Sequence, residues 1–168
     1  MAPVLETERL RLRPWRESDH APFAALLADE ESARFIGGVC GPEDTWRRMA
    51  TQMGHWQMRG YGSWVIEEKA TGNWLGYSGL WNPYGWPEPE VMWGLAPASR
   101  GRGYATEAAL AARTHAYEQL GWKTATSLIA PANTPSQKVA ERLGAARERS
   151  IELRGAVADV WRHPASKK

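Results

Sequence analysis

One turn constrains this chain more than any other stretch. Val91-Met92-Trp93-Gly94-Leu95 reads as a strand, and from Tyr104 to Leu120 strong helix formers run without a breaker until Gly121. Between them lies Ala96-Pro97-Ala98-Ser99-Arg100-Gly101-Arg102-Gly103, a short loop with two glycines and two arginines. Ala105, Ala108, Ala109, Ala112 and Ala116 share one face of the helix, and side chains that small let it lie close against a sheet. A helix start leaves several N–H groups unpaired and carries partial positive charge, so it suits phosphate. Gly101 and Gly103 free the backbone for close approach, while Arg100 and Arg102 add full charge. The bland alternative is a tight turn edged by solvated arginines. A P-loop is excluded because no lysine follows, and Gly101-x-Gly103-x-x-Thr106 falls too late in the chain for a dinucleotide fingerprint.

The rest of the chain supplies the sheet. Arg9–Arg13 alternates with period two and stops at Pro14. A helical stripe of Phe23, Leu26 and Leu27 follows, then a Gly37-Gly38 and Gly41-Pro42 loop. Trp46, Met49, Ala50 and Met53 predict one face of a second helix, ended by Gly60 and Gly62. Residues 63–67 and 74–80 flank Thr71-Gly72-Asn73 and read as a hairpin. Thr124–Ile129 is a further strand, Ser136–Leu143 a helix, and 147–153 with 157–161 two last strands. Strand–helix alternation in the second half requires some parallel pairing and the hairpins antiparallel pairing. The expectation is an α+β fold, a mixed sheet with helices on both faces, built as a single domain over 1–168.

Composition removes several classes of function. The 168 residues carry 21 Lys+Arg against 19 Asp+Glu, a net charge of +2, which argues against a nucleic-acid-coating protein. Cys40 is the one cysteine and the four histidines are scattered, so neither a disulfide nor a metal site is expected. No apolar run approaches membrane-spanning length, and the first nine residues become charged at once. A cytoplasmic protein with no membrane partner is the expectation. The ten tryptophans are unusual for this length. Trp15, Trp46, Trp56, Trp64, Trp74 and Trp93 read as core or helix–sheet filler.

Arg100-x-x-Gly103-x-Ala105 is similar to the pyrophosphate-binding signature of the GNAT superfamily of N-acetyltransferases. Leu5-Glu6-Thr7-Glu8-Arg9-Leu10-Arg11-Leu12-Arg13-Pro14-Trp15 resembles the opening strand of its ribosomal-protein (RimJ/RimL-like) branch. Gly103-Tyr104-Ala105-Thr106-Glu107-Ala108 and Asn133-Thr134-Pro135-Ser136, followed by Val139 and Leu143-Gly144, resemble that branch's next two elements. The likeness runs through nearly the whole chain in register. It implies a mostly antiparallel sheet of six to seven strands with a splay between the fourth and fifth, here Val91–Ala96 and Thr124–Ile129.

The resemblance also implies a co-substrate, acetyl-CoA, and transfer to a primary amine, a protein N-terminus or a small amine, by direct attack in a ternary complex. The pantetheine arm would pair with main chain near Trp93 to Ala96. The diphosphate would sit on Arg100, Gly101, Arg102, Gly103, Tyr104 and Ala105 with Thr106 nearby, and Asn133 would bond the arm. A backbone N–H of Leu95 or Ala96 would face the oxyanion. Many relatives protonate the thiolate with a tyrosine after the fifth strand. Residues 134–144 hold none, and the resemblance to the ribosomal-protein branch implies Ser136 in that role, with a helix-capping serine as the alternative. Glu90 is the expected base, with Glu88 and Glu152 as alternatives or solvent in place of any of them. Trp81, Tyr84, Trp86 and Glu88 would meet the acceptor. A catalytically silent acyl-CoA sensor on the same fold is the rival function, and monomer and homodimer both stay open.

Overall fold

The computed structural model describes residues 2–167. Its eight strands are β1 (Leu5–Glu6), β2 (Leu10–Arg13), β3 (Ser63–Glu68), β4 (Trp74–Trp81), β5 (Glu90–Leu95), β6 (Thr126–Ile129), β7 (Ala146–Leu153) and β8 (Ala156–Arg162). They form one sheet in the order β1-β2-β3-β4-β5-β6-β8-β7. The count exceeds the expected six to seven because the two residues Leu5 and Glu6 pair with Leu12 and Arg11 as an edge strand. All neighbours are antiparallel except β5 and β6, whose parallel register is the single pair Glu90↔Thr126. Beyond that pair the two strands diverge, which is the expected splay.

Helices cover both faces. The long helix α4 (Tyr104–Glu118) presents Ala105, Ala108, Ala109, Ala112 and Ala116 to Leu10, Leu12, Trp64, Ile66, Leu80 and Val91. On the other face α1 (His20–Ala28), α2 (Glu30–Ala33) and α3 (Pro42–Arg59) gather Phe23, Leu26, Leu27 and Met49 over Val65, Tyr77 and Trp15. Trp64 and Val65 therefore point to opposite cores, as strand alternation demands. The last helix, α5 (Thr134–Arg142), buries Ala140 against Ile129 and Trp161. Asp29 separates α1 from α2, with extended backbone and a side chain that caps the Ser32 N–H at 2.8 Å.

The α3 stripe is rotated from its expected face. Trp46 is 53% exposed and Met53 46%, while Thr45, Met49 and His55 are buried. Gly41 is the N-cap with Pro42 in the first turn, and Trp56 is tied to the Ser63 carbonyl through its indole N–H at 2.8 Å. Near the opposite edge Arg13 and Asp19 make a buried bidentate pair at 2.8 and 2.9 Å, with Glu67 holding the Arg13 Nε at 2.6 Å. Asp19 and Glu67 together hold the Arg13 guanidinium above its ordinary pKa despite burial.

Candidate active site

The turn after β5 is built by main-chain geometry. Gly101 (φ +74°) and Gly103 (φ +81°) both lie in the left-handed region, and Gly103 is the residue that opens α4. The first intrahelical bond runs from the Glu107 N–H to the Gly103 carbonyl at 3.1 Å. The N–H groups of Tyr104, Ala105 and Thr106 therefore have no acceptor within the helix. The opening strand region clamps this turn from outside. Arg9 donates to Glu107 through Nε at 2.8 Å and to the Arg102 carbonyl through Nη1 at 2.9 Å, and Thr7 Oγ1 donates to Glu107 at 2.6 Å. These bonds hold the Glu107 carboxyl below the usual carboxylate range against the opposing effect of burial.

Two cavities flank the splay. The larger, about 830 Å³, runs along the turn and the start of α4. Leu95, Arg100, Gly101 and Gly103 line it, followed by Tyr104, Ala105 and Thr106, with Asn133 and Ser136 across from them. The smaller, about 460 Å³, is walled by Trp81, Trp86 and Glu90 on one side and by Leu153, Arg154 and Val157 of the β7–β8 hairpin on the other. Trp93 and Ser136 belong to both.

Five sequence expectations need correction. The Ala96 N–H is spent on the Leu75 carbonyl at 2.9 Å and cannot face an oxyanion. Alternation along an antiparallel ladder then turns the Trp93 and Leu95 N–H groups to the other edge of β5, towards the gap. Arg102 does not line the large cavity, because its guanidinium lies 4.8 Å over the Tyr104 ring and 3.5 Å from Glu68. Tyr84 sits at the tip of the loop before β5, 96% exposed and outside both cavities. Glu88 is held by Arg162 at 2.7 Å and Arg149 at 2.6 Å, so it fastens that loop to β7 and β8 rather than facing an acceptor. Trp93, expected in the core, is half-buried and donates from its indole N–H to Ser136 Oγ at 3.2 Å.

Ser136 is not a helix cap. Asn133 caps α5 by accepting the Ser136 N–H at 3.3 Å, which leaves the Ser136 hydroxyl proton uncommitted to the helix end. The Tyr104 hydroxyl donates to Glu68, away from the cavity, so the contribution of Tyr104 to the turn is its main chain. Arg100 reaches back to the Leu95 carbonyl at 3.3 Å and to Ser32 Oγ at 2.6 Å, bracing the loop against α2.

Glu90 is the chemically distinctive group. It is 6% exposed, and burial pushes its carboxyl up to about 7, opposed by N–H donors from Leu128 at 3.0 Å and Trp86 at 2.9 Å. A carboxylate poised near neutrality suits a general base. The alternative base Glu152 is exposed on β7 and lines neither cavity. Where ladder bonds end, side chains take over the β5–β6 junction. Ser127 Oγ donates to the Val91 carbonyl at 2.5 Å and accepts from His163 Nε2 at 2.9 Å, while His163 Nδ1 accepts from Arg113 at 3.0 Å. Burial and then the two arginines push His163 down to about 4, so the ring stays neutral.

A buried polar atom without a partner completes the picture. Thr106 Oγ1 is buried in the first turn of α4 with no protein acceptor or donor. Together with the unpaired amides beside it and the open edge of β5, it makes a cradle suited to the diphosphate and amide-bearing arm of coenzyme A. The family described as acetyltransferase (GNAT) domain matches residues 9–146. The chain belongs to the GNAT acetyltransferases. The protein YkkB of Bacillus subtilis is 32% identical over 149 residues, covering 83% of each chain. A crystal structure of an acetyltransferase from Agrobacterium tumefaciens is 33% identical, covers 98% of this chain and 95% of its own, and has a TM-score of 0.89. Spermidine N-acetyltransferase from Vibrio cholerae, solved with CoA and spermine, shares the fold at 18% identity and a TM-score of 0.76, over 96% of this chain and 98% of its own.

Sequence reasoning missed three parts of this GNAT site. Arg9, Thr7 and Glu107 brace the turn, and the signal was the Thr-x-Arg of the opening strand paired with the acid in the first turn of the helix. Phe35 and Ile36, between α2 and α3, line both cavities and carry no local signal at all. Arg154 was missed because its neighbours come from a loop some seventy residues earlier, though its place in a two-residue hairpin turn was readable.

Proposed function

We propose that the protein transfers the acetyl group of acetyl-CoA to a primary amine by direct attack, with both substrates bound together. The meeting of the two cavities at Trp93 and Ser136 carries this reading. The larger cavity suits CoA through the α4 amides, Thr106 Oγ1 and the open N–H groups of β5. The CoA complex of the Vibrio cholerae spermidine N-acetyltransferase supports that choice. The smaller cavity suits the amine, a peptide N-terminus or a small molecule, against Trp81 and Trp86.

An incoming ammonium must shed a proton to expose its lone pair. Glu90, ionised above about 7, accepts it directly or through one water. The Trp93 and Leu95 N–H groups donate to the acyl oxygen as charge builds there. As the N–C bond forms and the C–S bond breaks, the second amine proton ends on sulfur by way of the Ser136 hydroxyl. Trp93 Nε1 holds that hydroxyl as an acceptor and so leaves its proton free to be given.

Acetyl-CoA titrated calorimetrically into the protein is expected to bind at one site per chain. A free-thiol assay over a panel of amines and peptides is expected to show release above the hydrolytic background. Binding without thiol release for any acceptor would favour a silent acyl-CoA sensor, and failure to bind would remove the proposal.

A further inference from the structure

The acceptor cavity has an unusual charge distribution. Among the described residues lining it, Glu90 is the one carboxylate and Arg154 the one cation. Glu90 lies deep, while Arg154 stands at the rim with its guanidinium 5.2 Å over the Trp86 ring. Trp86 in turn donates to Glu90, so one indole separates the two charges. The other arginines of this end are spent, Arg149 and Arg162 on Glu88 and Glu148, and Arg147 on Asp159. Arg154 has no carboxylate partner among the described residues.

Its backbone makes the placement more pointed. Among the described residues Arg154 is the one non-glycine with positive φ, at +52°, followed by Gly155 at +80°. Such a two-residue hairpin turn favours Asn-Gly or Asp-Gly at these positions. A long charged side chain sits here against the local preference and reaches into the mouth of the cavity. The remaining walls carry no charge and are mostly apolar or aromatic, with Phe35, Ile36, Trp81, Met92, Leu153 and Val157 among them and Gln52, Ser127, Asn133 and Ser136 as the neutral polar exceptions.

We propose that the acceptor is a small amine that also carries an anionic group, an amino acid with an apolar or aromatic body, and that Arg154 is the residue that selects it by binding the carboxylate. The assignment rests on the transferase reading above and narrows its acceptor. The amine end points inward to Glu90 and the Trp93–Ser136 junction. The body lies along Trp86 and Trp81, and the carboxylate takes the guanidinium fork at the rim. A polyamine fits poorly, because its second cation would meet Arg154 and find no further carboxylate on the cavity wall.

The test compares acceptors that share one body. Thiol release is measured for phenylalanine, phenylalaninamide, phenethylamine, spermidine and a phenylalanine-initiated peptide, with wild type, Arg154→Gln and Arg154→Lys. Phenylalanine is expected to exceed its amide and the carboxyl-less amine by about 10- to 100-fold in kcat/KM, the range of a charge-assisted hydrogen bond. Arg154→Gln is expected to bring that ratio close to one, and Arg154→Lys to restore part of it. Acetyl-CoA titration reports that each variant is folded. Equal rates for acid and amide, a preference for spermidine or the peptide, or a ratio untouched by Arg154→Gln overturns the assignment while leaving the transferase reading intact. Should no amine release thiol, calorimetric binding of phenylalanine against phenethylamine decides in the same way. Loss of acetyl-CoA binding by the wild type counts against the transferase reading instead.

Discussion

The two cavities are made from different materials. The one suited to CoA has as its floor the backbone of one stretch, β5 through the first turn of α4, stiffened by Arg9 and Glu107, with side chains of α1, α2 and α5 as its walls. The cavity proposed for the acceptor is built of side chains from eight separate places, the loop after α2, α3, β4, the loop before β5, β5 itself, β6, the start of α5, and the β7–β8 hairpin. Backbone amides recognise a group that stays the same from one catalytic cycle to the next, and they depend little on which side chains surround them. Side chains gathered from distant segments can change one at a time, so an acceptor site can be retuned without disturbing the other. Damage should therefore be concentrated in the first region and graded in the second.

Gly103→Val strikes the backbone region hardest. A β-branched residue at φ +81° must move the turn, and any displacement takes the α4 amides off their target. Its Cβ would meet only the Arg9 guanidinium, at 3.4 Å, so the core is untouched and the variant is expected to fold. Acetyl-CoA affinity is expected to fall about 1,000-fold, roughly 4 kcal/mol, by calorimetry. An affinity within threefold of wild type would show that the backbone cradle is not where CoA binds.

Glu90→Gln tests the second region, and it should leave acetyl-CoA affinity alone. kcat/KM at pH 8 is expected to drop about 100-fold, as for the loss of a general base. In the wild type kcat/KM should climb as pH rises through about 7, and in the variant that limb should vanish. Stability carries the same signature with opposite slope. Because burial raises Glu90 from 4.5 to about 7, the folded state holds its proton more tightly than the unfolded chain does. That contribution is full below about 4.5 and is lost as pH rises through 7, roughly 3 kcal/mol in all. Chemical denaturation from pH 5 to pH 8 should show the decline in wild type and not in Glu90→Gln. A rate limb that survives the substitution would assign the proton to another group.

These contrasts explain what could be read before folding. The Gly101-x-Gly103 turn and the alanine face were legible because they are local, set by neighbours within a few positions in the chain. The identity of Glu90 was available from resemblance, but its raised pKa comes from burial in the folded chain, against the lowering effect of the Trp86 and Leu128 N–H donors. Ala96 was misjudged because which amide of β5 is free depends on its register with β4, fixed through Leu75 some twenty residues earlier. Tyr84 and Glu88 are sequence neighbours of Trp86, yet the loop turns at Tyr84-Gly85 and points the three side chains different ways. Trp46 shows the same limit on a helix, where a shift of one position moves a residue from the core to water.

Ser136→Ala lies where the two regions touch and should affect rate rather than binding. kcat is expected to fall about 10-fold with KM little changed, since the hydroxyl acts on sulfur only as the C–S bond opens. The indole N–H of Trp93 would lose its acceptor in the same substitution. Ser136→Thr keeps a hydroxyl and should recover part of the rate. A rise in KM for acetyl-CoA with kcat preserved would instead make Ser136 a binding residue.

Trp86→Phe gives the smallest effect and the finest test of how the acceptor side is tuned. The ring stays, so the wall beneath Arg154 is preserved, but the N–H donor to Glu90 at 2.9 Å is gone. That bond favours the charged carboxylate, as does the Leu128 N–H, while burial favours the neutral acid. Removing one of the two donors must move Glu90 further up. The acid limb of kcat/KM should shift to higher pH by about half a unit, corresponding to roughly 0.7 kcal/mol. The plateau at high pH should be nearly that of wild type, because once ionised the base is in the same place. A shift to lower pH would mean that the indole shields Glu90 from solvent water more than it stabilises its charge. A lowered plateau with no shift would mean that Trp86 positions the amine and leaves the base alone.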